Sequence, residues 1–403
     1  MDKKYGLTLK ACYLGYIVQA VVNNFLPLLF VYFNNDLNIP LYLISIIVTY
    51  NFGLQILVDS LSASIVLKFG YRKTAILSNL LSGAGLLTLA VFSFASNNYI
   101  VLYIGIMLSV TLMAIGGGIV EVILSPLIEA LPTTNGNKSM NLLHSFYCIG
   151  HIIVVVFATL FFKFFGIKNY AVFSLILMIF PITTSILFAK CPINSPNGDE
   201  KPIGRFKLFK IPLFILLFIL MVCAGASEQA VAQWISYFLE EGLNLDKTLG
   251  DVVGVASFAL CMLISRFYFG TIDKKINVLK TLIISSIILT ALIVVSIITS
   301  APLVSLILLA LSGLFIGFTW PTVYAYAGDV FTAGGTVMFS MLALGGDLGC
   351  TLGPTLVGFV SEFTSIKVGI LSSVVFPIVM LVACLLIIKI KAKNNKNQDK
   401  SLQ

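Results

Sequence analysis

The sequence predicts an all-α membrane protein of twelve transmembrane helices in two pseudo-symmetric six-helix bundles, on three observations. Of 403 residues, 59% are hydrophobic and 10% charged, where a soluble domain carries about 25% charged residues. Apolar stretches of roughly 20 residues or more, the length a helix needs to cross a bilayer, recur along the whole chain. One long polar break, KCPINSPNGDEKPIGRFKLFK at 190–210, holds three prolines, two glycines and seven charges. Such a breaker-rich stretch reads as a linker.

The spans fall near 8–34, 41–67, 74–95, 99–131, 140–165 and 169–190 before the break, and near 210–240, 248–270, 278–299, 303–327, 333–361 and 366–390 after it. The first is too long and apolar for a cleaved signal, has no small-residue cleavage site, and reads as a spanning helix. The expected domains are therefore an N-terminal bundle (1–190), a cytoplasmic linker (191–209), a C-terminal bundle (210–390) and a basic cytoplasmic tail (391–403). Twelve spans put both termini on one side. That side carries 20 of the 25 Lys and Arg; the other carries Lys163, Lys168, Lys247 and Lys367, and Arg266 lies inside a span. The bias is the one expected of cytoplasmic loops. Lysine outnumbers arginine 22 to 3, as in AT-rich bacterial genomes, so the expected location is a bacterial plasma membrane.

The net charge of +8 is thus a membrane pattern and not a nucleic-acid footprint. None of the seven cysteines falls in an expected outer loop and none forms a CxxC pair, so neither disulfides nor a metal is expected. No phosphate-binding GxxxxGK[ST] loop occurs. The chain is expected to need no cofactor, to use a coupling ion in place of ATP, and to work as a monomer in the lipid bilayer on a small-molecule solute. A weak echo links the halves: Gly117, Glu121 and Glu129 of span four against Gly317, Pro321 and Asp329 of span ten, 200 residues on. Asn23-Asn24 of span one likewise correspond to Glu228-Gln229 of span seven, 205 residues on.

Polar residues inside spans carry the functional reading, because a charged group in hydrocarbon costs several kcal/mol and is usually functional. Span four reads GGGIVEVILSPLIE from Gly116 to Glu129. Glu121, Ser125 and Glu129 lie four apart along one face. Glu121 either pairs with Arg266 or a backbone group, or faces a water-filled cavity and takes up a proton, which a poorly hydrated carboxyl group holds more readily than one in water. Glu129 reads as an interfacial helix end. Span seven carries Glu228, Gln229, Gln233, Trp234 and Tyr237; its amides and carboxylate need partners, either a hydroxyl-rich solute or another helix. In span five His144, Tyr147 and His151 share a face. Asn23, Asn24 and Pro27 in span one, and Trp320, Tyr324 and Tyr326 in span ten, complete the candidate lining. Asp347 sits among small residues in GGDLGCTLGP, as a solute or proton group or a helix-to-helix bond. Asp59 and Arg266, in the cytoplasmic halves of spans two and eight, are expected to act at a gate.

With its central linker and LKFGYRK at 67–73, this layout resembles the major facilitator superfamily. The family's loop after span two, G-x-x-x-D-[RK]-x-G-x-[RK], aligns with Ala63, Leu67, Lys68, Gly70 and Arg72. The first Gly and the Asp are absent, which leaves Asp59 as the acid nearest that latch. GGGIVEVILSPLIEALP followed by NLLHSFYCIG is similar to the fucose permease branch over about 45 residues. By this resemblance Glu121 matches the coupling glutamate, and His144 and Tyr147 match sugar-contacting positions. Asn23 matches a position that is aspartate in the branch's proton-coupled symporter. An asparagine cannot titrate, so Glu121 acts alone, or Glu228 or Asp347 shares the task, or the cation is not a proton. The expected function is proton-coupled uptake of a small polar solute such as a sugar by alternating access. The alternative is export of drug-like or amphipathic molecules by proton antiport. A membrane-embedded enzyme would need a constellation such as HExxH, and His144 and His151 do not supply one.

Overall fold

The computed structural model describes residues 5–95, 98–129, 131, 136–193, 205–271, 277–331 and 335–401. The linker residues 194–204 and the side chains of Glu129 and Asp329 lie outside the described residues. Among the described residues, twelve helices are long and apolar enough to cross a membrane. They are span one (Gly6–Asn35), two (Leu41–Leu61), three (Lys68–Ala95), four (Tyr99–Ser125), five (Leu142–Phe165) and six (Ile167–Lys190). After the linker come seven (Pro212–Gly242), eight (Lys247–Phe269), nine (Val278–Ile298), ten (Pro302–Gly328), eleven (Ser340–Phe363) and twelve (Ile366–Ala392). Number and order match the sequence expectation.

Three departures have local causes. The loop expected between spans two and three is compressed into a helix running from Leu41 to Ala95, interrupted only at Gly70, whose φ is +75°. An L-residue rarely adopts that conformation and glycine does so freely. Arg72, just past this turn, donates to the carbonyls of Phe188 (3.3 Å) and Ala189 (2.6 Å) at the end of span six. Span one is not continuous: its α-helix ends at Asn24 and a 3-10 turn follows at Leu26–Leu29. Pro27 has no N–H, so the carbonyl of Asn23, four residues back, loses its helical donor. Span ten breaks the same way, with α-helices Pro302–Ile316 and Thr319–Val330; there Pro321 frees the carbonyl of Gly317.

The halves meet along two main seams, span two against span eleven and span five against span eight, with span one also touching span seven. The side opposite the termini is tied shut across these seams. Asn35 donates to Glu241 at 2.8 Å and Tyr237 to Asn34 at 3.4 Å. The hydroxyls of Thr49 and Thr355 meet at 2.6 Å. Asp251, 1% exposed, accepts from Ser236 of its own half at 2.5 Å and from Thr159 of the other half at 3.2 Å. Lys247 pairs with it at 3.3 Å.

A hydrogen bond to a charged group such as the Asp251 carboxylate contributes about 1.5–3 kcal/mol. Thr159→Val should therefore favour opening on this side by about tenfold or more. In a cysteine-free background with a cysteine at Val155, which is buried beside this contact, an impermeant thiol reagent should label the Thr159→Val protein correspondingly faster. An unchanged labelling rate would mean that Thr159 does not help hold the side shut.

Candidate functional site

Between the halves lies a small cavity lined by residues of spans one, two, four, five, seven, eight, ten and eleven. Its walls follow from the helix breaks and from a few small residues. In the GGG run of span four each glycine faces a different helix. A side chain on Gly116 would strike Ser78 and Ser82 of span three, on Gly117 the Gln19 amide of span one, and on Gly118 would press on Val58 and Asp59 of span two. The run lets three helices close around the segment that carries Glu121.

Four acids gather here: Glu121, Glu228 and Asp347 line the cavity, and Asp59 sits behind Asp347. One guanidinium accompanies them. Arg266 Nη2 donates to Glu228 Oε2 at 2.9 Å. Its Nη1 reaches the His144 carbonyl (3.0 Å) and Cys148 Sγ (3.2 Å). Its Nε donates at 2.8 Å to the Gly317 carbonyl, the one Pro321 leaves free. Arg266 is 3% exposed and Glu228 5%. Arg266, expected at a gate, thus lines the cavity and joins spans five, seven, eight and ten. Its partner is Glu228, so the pairing with Glu121 does not occur. Helix geometry explains the difference: the break in span ten frees the Gly317 carbonyl, and Arg266 of span eight meets it.

Glu121 has a neutral partner. Gln19 Nε2 donates to its Oε2 at 2.9 Å and also lies 3.3 Å from Gln55 Oε1. Gln55 in turn donates to Asn23 Oδ1 at 3.0 Å, which Asn51 approaches at 3.3 Å. An amide chain therefore runs from span one to span two and ends on the carboxyl group of span four. Asn23 and Gln229 line the cavity. Asn24 lies beside them, donating to Tyr147 Oη at 3.0 Å and the Ala20 carbonyl at 2.9 Å. His144, Tyr147 and Trp320 also line the cavity. The Trp320 indole N–H is buried and meets no acceptor among the described residues. Tyr324 packs against Trp320 with ring centroids 6.3 Å apart.

Four expected lining residues are not in the cavity wall: Asn24 and Tyr324 stand against lining residues, and Gln233 and Trp234 lie elsewhere. Gln233 sits one turn beyond Gln229, where it donates to the Asn23 carbonyl at 3.0 Å and to Gln229 Oε1 at 3.0 Å. It thereby satisfies the carbonyl that Pro27 frees. Trp234, one residue round the helix, is fully buried between the halves: its indole donates to the Pro354 carbonyl at 3.0 Å, and its ring meets Phe30 and Tyr237, each at 5.8 Å. A spacing of four keeps Gln229 and Gln233 on one stripe, but depth along the stripe decides which reaches the cavity. Conversely, the cavity includes Tyr16, Gln19, Phe52 and Cys350, which sequence reading missed. A signal was present: Tyr16, Gln19 and Asn23 form one polar stripe on span one, and Asn51, Gln55 and Asp59 another on span two.

The model of the Major Facilitator Superfamily matches residues 12–339 and 217–403. Solved structures similar over nearly the whole chain include the E. coli fucose:proton symporter, at 17% identity, covering 96% of this chain and 99% of that one with a TM-score of 0.67. A D-xylose–proton symporter has 12% identity, covers 96% and 97%, and gives a TM-score of 0.74. A bacterial homologue of the human lysosomal transporter Spinster, inward-facing and occupied, has 10% identity, covers 96% and 98%, and gives 0.71. At such identities the likeness is one of fold. No curated protein sequence matches the chain significantly.

Two outcomes are expected from this geometry. In a cysteine-free background, a cysteine at Gln229 should react with a small hydrophilic thiol reagent, while cysteines at Gln233 and Trp234 should react at least about tenfold more slowly, as buried thiols do. Equal reactivity at all three would place the pathway further along span seven. Removing one partner of a buried ion pair costs about 3–5 kcal/mol, so Glu228→Gln should lower thermal stability in detergent sharply. Glu228→Met with Arg266→Met should recover much of the loss. A Glu228→Gln protein as stable as the parent would mean that Arg266 is neutralised elsewhere.

Proposed function

The chain belongs to the Major Facilitator Superfamily, hence a transporter and not an enzyme, and we propose that it takes up a small polar solute, a sugar or related polyol, together with a proton. The observation that carries this reading is the division of labour among the cavity acids. Glu228 has Arg266 for a counter-charge; among the described residues Glu121 has only the Gln19 amide. A carboxyl group buried with neutral partners is the one whose charge is cheapest to cancel with a proton. The same wall supplies what a neutral hydroxyl-rich ligand needs: amides at Asn23 and Gln229, the Tyr147 hydroxyl, and the uncommitted Trp320 N–H on a flat ring. Two structural neighbours are, by name, sugar–proton symporters, which supports the substrate class. An exporter of drug-like molecules would be better served by an apolar wall.

In the proposed cycle the two bundles rock about the cavity. Solute binds to the amides and Trp320 while Glu121 is protonated, so that no bare charge crosses the dry seam. Proton release on the far side leaves a carboxylate held by Gln19, which must reload before the carrier returns. Each positive charge moved gains about 2.3 kcal/mol per 100 mV of membrane potential. We further assign the carrier to a bacterial plasma membrane with both termini cytoplasmic, on the distribution of Lys and Arg.

Glu121→Gln keeps the shape of the neutral acid. In proteoliposomes it should exchange solute across the membrane at near-parental rates yet fail to concentrate it under a proton gradient. Proton-driven accumulation by this variant would overturn the coupling role. Trp320→Phe removes the indole donor and should weaken solute binding by about 5- to 30-fold, the cost of one lost hydrogen bond, as read by thermal shift against a sugar and polyol panel. Unchanged affinity would remove Trp320 from the binding set.

A further inference from the structure

Asp59 and Asp347 form a pair that the cycle above does not use. Asp59 stands on span two and Asp347 on span eleven, so they belong to opposite bundles. They are 6% and 3% exposed. Their carboxyl groups are within hydrogen-bonding reach of each other. Neither oxygen of Asp59, nor Oδ2 of Asp347, meets a donor among the described residues. The titratable groups that face them are Glu121 from span four and Tyr324 from span ten, with Cys350 on the next turn of span eleven. None of these is a cation, and Arg266 is held by Glu228. The seam continues away from the pair through Thr49 and Thr355, 2.6 Å apart.

Two ionised carboxylates in contact in a poorly hydrated seam repel without compensation. One proton between them turns the repulsion into a charge-assisted hydrogen bond of the strong O–H···O⁻ kind. The geometry points to a proton-operated clasp: Asp59 and Asp347 share a single proton that joins spans two and eleven, and its loss lets the bundles part there. The proton comes from cavity water, since Asp347 also lines the cavity, and returns to it when the O–H bond breaks. The titration belongs to the pair and not to either residue. The clasp is separate from the proton on Glu121. It rests on the reading of the chain as a two-bundle rocking carrier, but not on Glu121 being the coupling acid or on the solute being a sugar.

The test uses no solute. Spin labels are placed at Lys68 and Ala392, exposed residues at the ends of spans three and twelve on the side of the termini, the side on which Asp59 and Asp347 lie, in a background with the native cysteines replaced. Their distance distribution is measured in nanodiscs by pulsed electron resonance from acid to alkaline pH. As pH rises, the ratio of far to near populations should climb by up to about tenfold per pH unit, the limit for one linked proton. Asp59→Asn supplies a permanent amide donor to Asp347 and should hold the near population at all pH values. Glu121→Gln should keep a pH response, with its midpoint moved to lower pH because a facing negative charge is lost. Should Asp59→Asn not fold, Asp347→Asn, with its amide facing Asp59, carries the same expectation. No pH response in the parent, or a response kept in the Asp variants and lost in Glu121→Gln, would overturn the clasp. Failure of the coupling role would show independently, as accumulation by Glu121→Gln, with the distance measurement unchanged.

Discussion

The cavity places four carboxyl groups and one guanidinium in a space that water reaches poorly, and the fate of that single positive charge organises what surrounds it. Arg266 cannot serve every acid. Four of its five N–H donors are spent on Glu228, on the carbonyls of His144 and Gly317 and on Cys148. Glu121 is left with an amide, and Asp59 and Asp347 are left with each other. Electrostatic scarcity thus sorts the acids into one with a counter-charge and three without one among the described residues. A second cation in the cavity would have erased that distinction.

Two prolines make the arrangement possible. Pro27 and Pro321 each release a carbonyl from its helix, and in each case a side chain from the other part of the bundle system collects it. Gln233 of span seven takes the carbonyl of Asn23, and Arg266 of span eight takes that of Gly317. The first contact crosses between halves and the second lies within one. Broken helices are tolerated in a membrane only where such partners exist, so the breaks and the polar side chains opposite them are parts of one device. The cost of an unsatisfied carbonyl in hydrocarbon is what holds Gln233 at its post and keeps it out of the cavity.

The seams show a gradient of chemistry. On the side away from the termini they are closed by neutral or fully paired contacts: Thr49 with Thr355, Asn34 with Tyr237, and Asp251 with Lys247 and two hydroxyls. Nearer the cavity they pass over the acids. A carrier that rocks must break one set of contacts to form another, and hydrogen bonds worth about 1 kcal/mol each can be exchanged within a thermally accessible range. A continuous apolar seam of the same area would be far harder to part.

Much of this was legible in the residues themselves. Twelve apolar stretches around one polar break determine the number and order of spans, because backbone groups in lipid must be satisfied within each helix. The isolated Glu121 beside GGG, the amides of Asn23 and Gln229, and His144 with Tyr147 marked the cavity wall, since polar groups at that depth need polar company. What only the tertiary structure decided is which partner each one takes. Arg266 reads as a gate residue from its place in the cytoplasmic half of span eight; in the fold the break at Gly317 and Phe318 of span ten offers it a carbonyl and span seven offers it Glu228. Gln233 and Trp234 read as lining because periodicity gives a face but not a depth. Asp59 and Asp347, 288 residues apart, meet only because spans two and eleven run antiparallel across the seam. Pairing across a bundle depends on helix register and on where helices break, and no spacing within one helix encodes either.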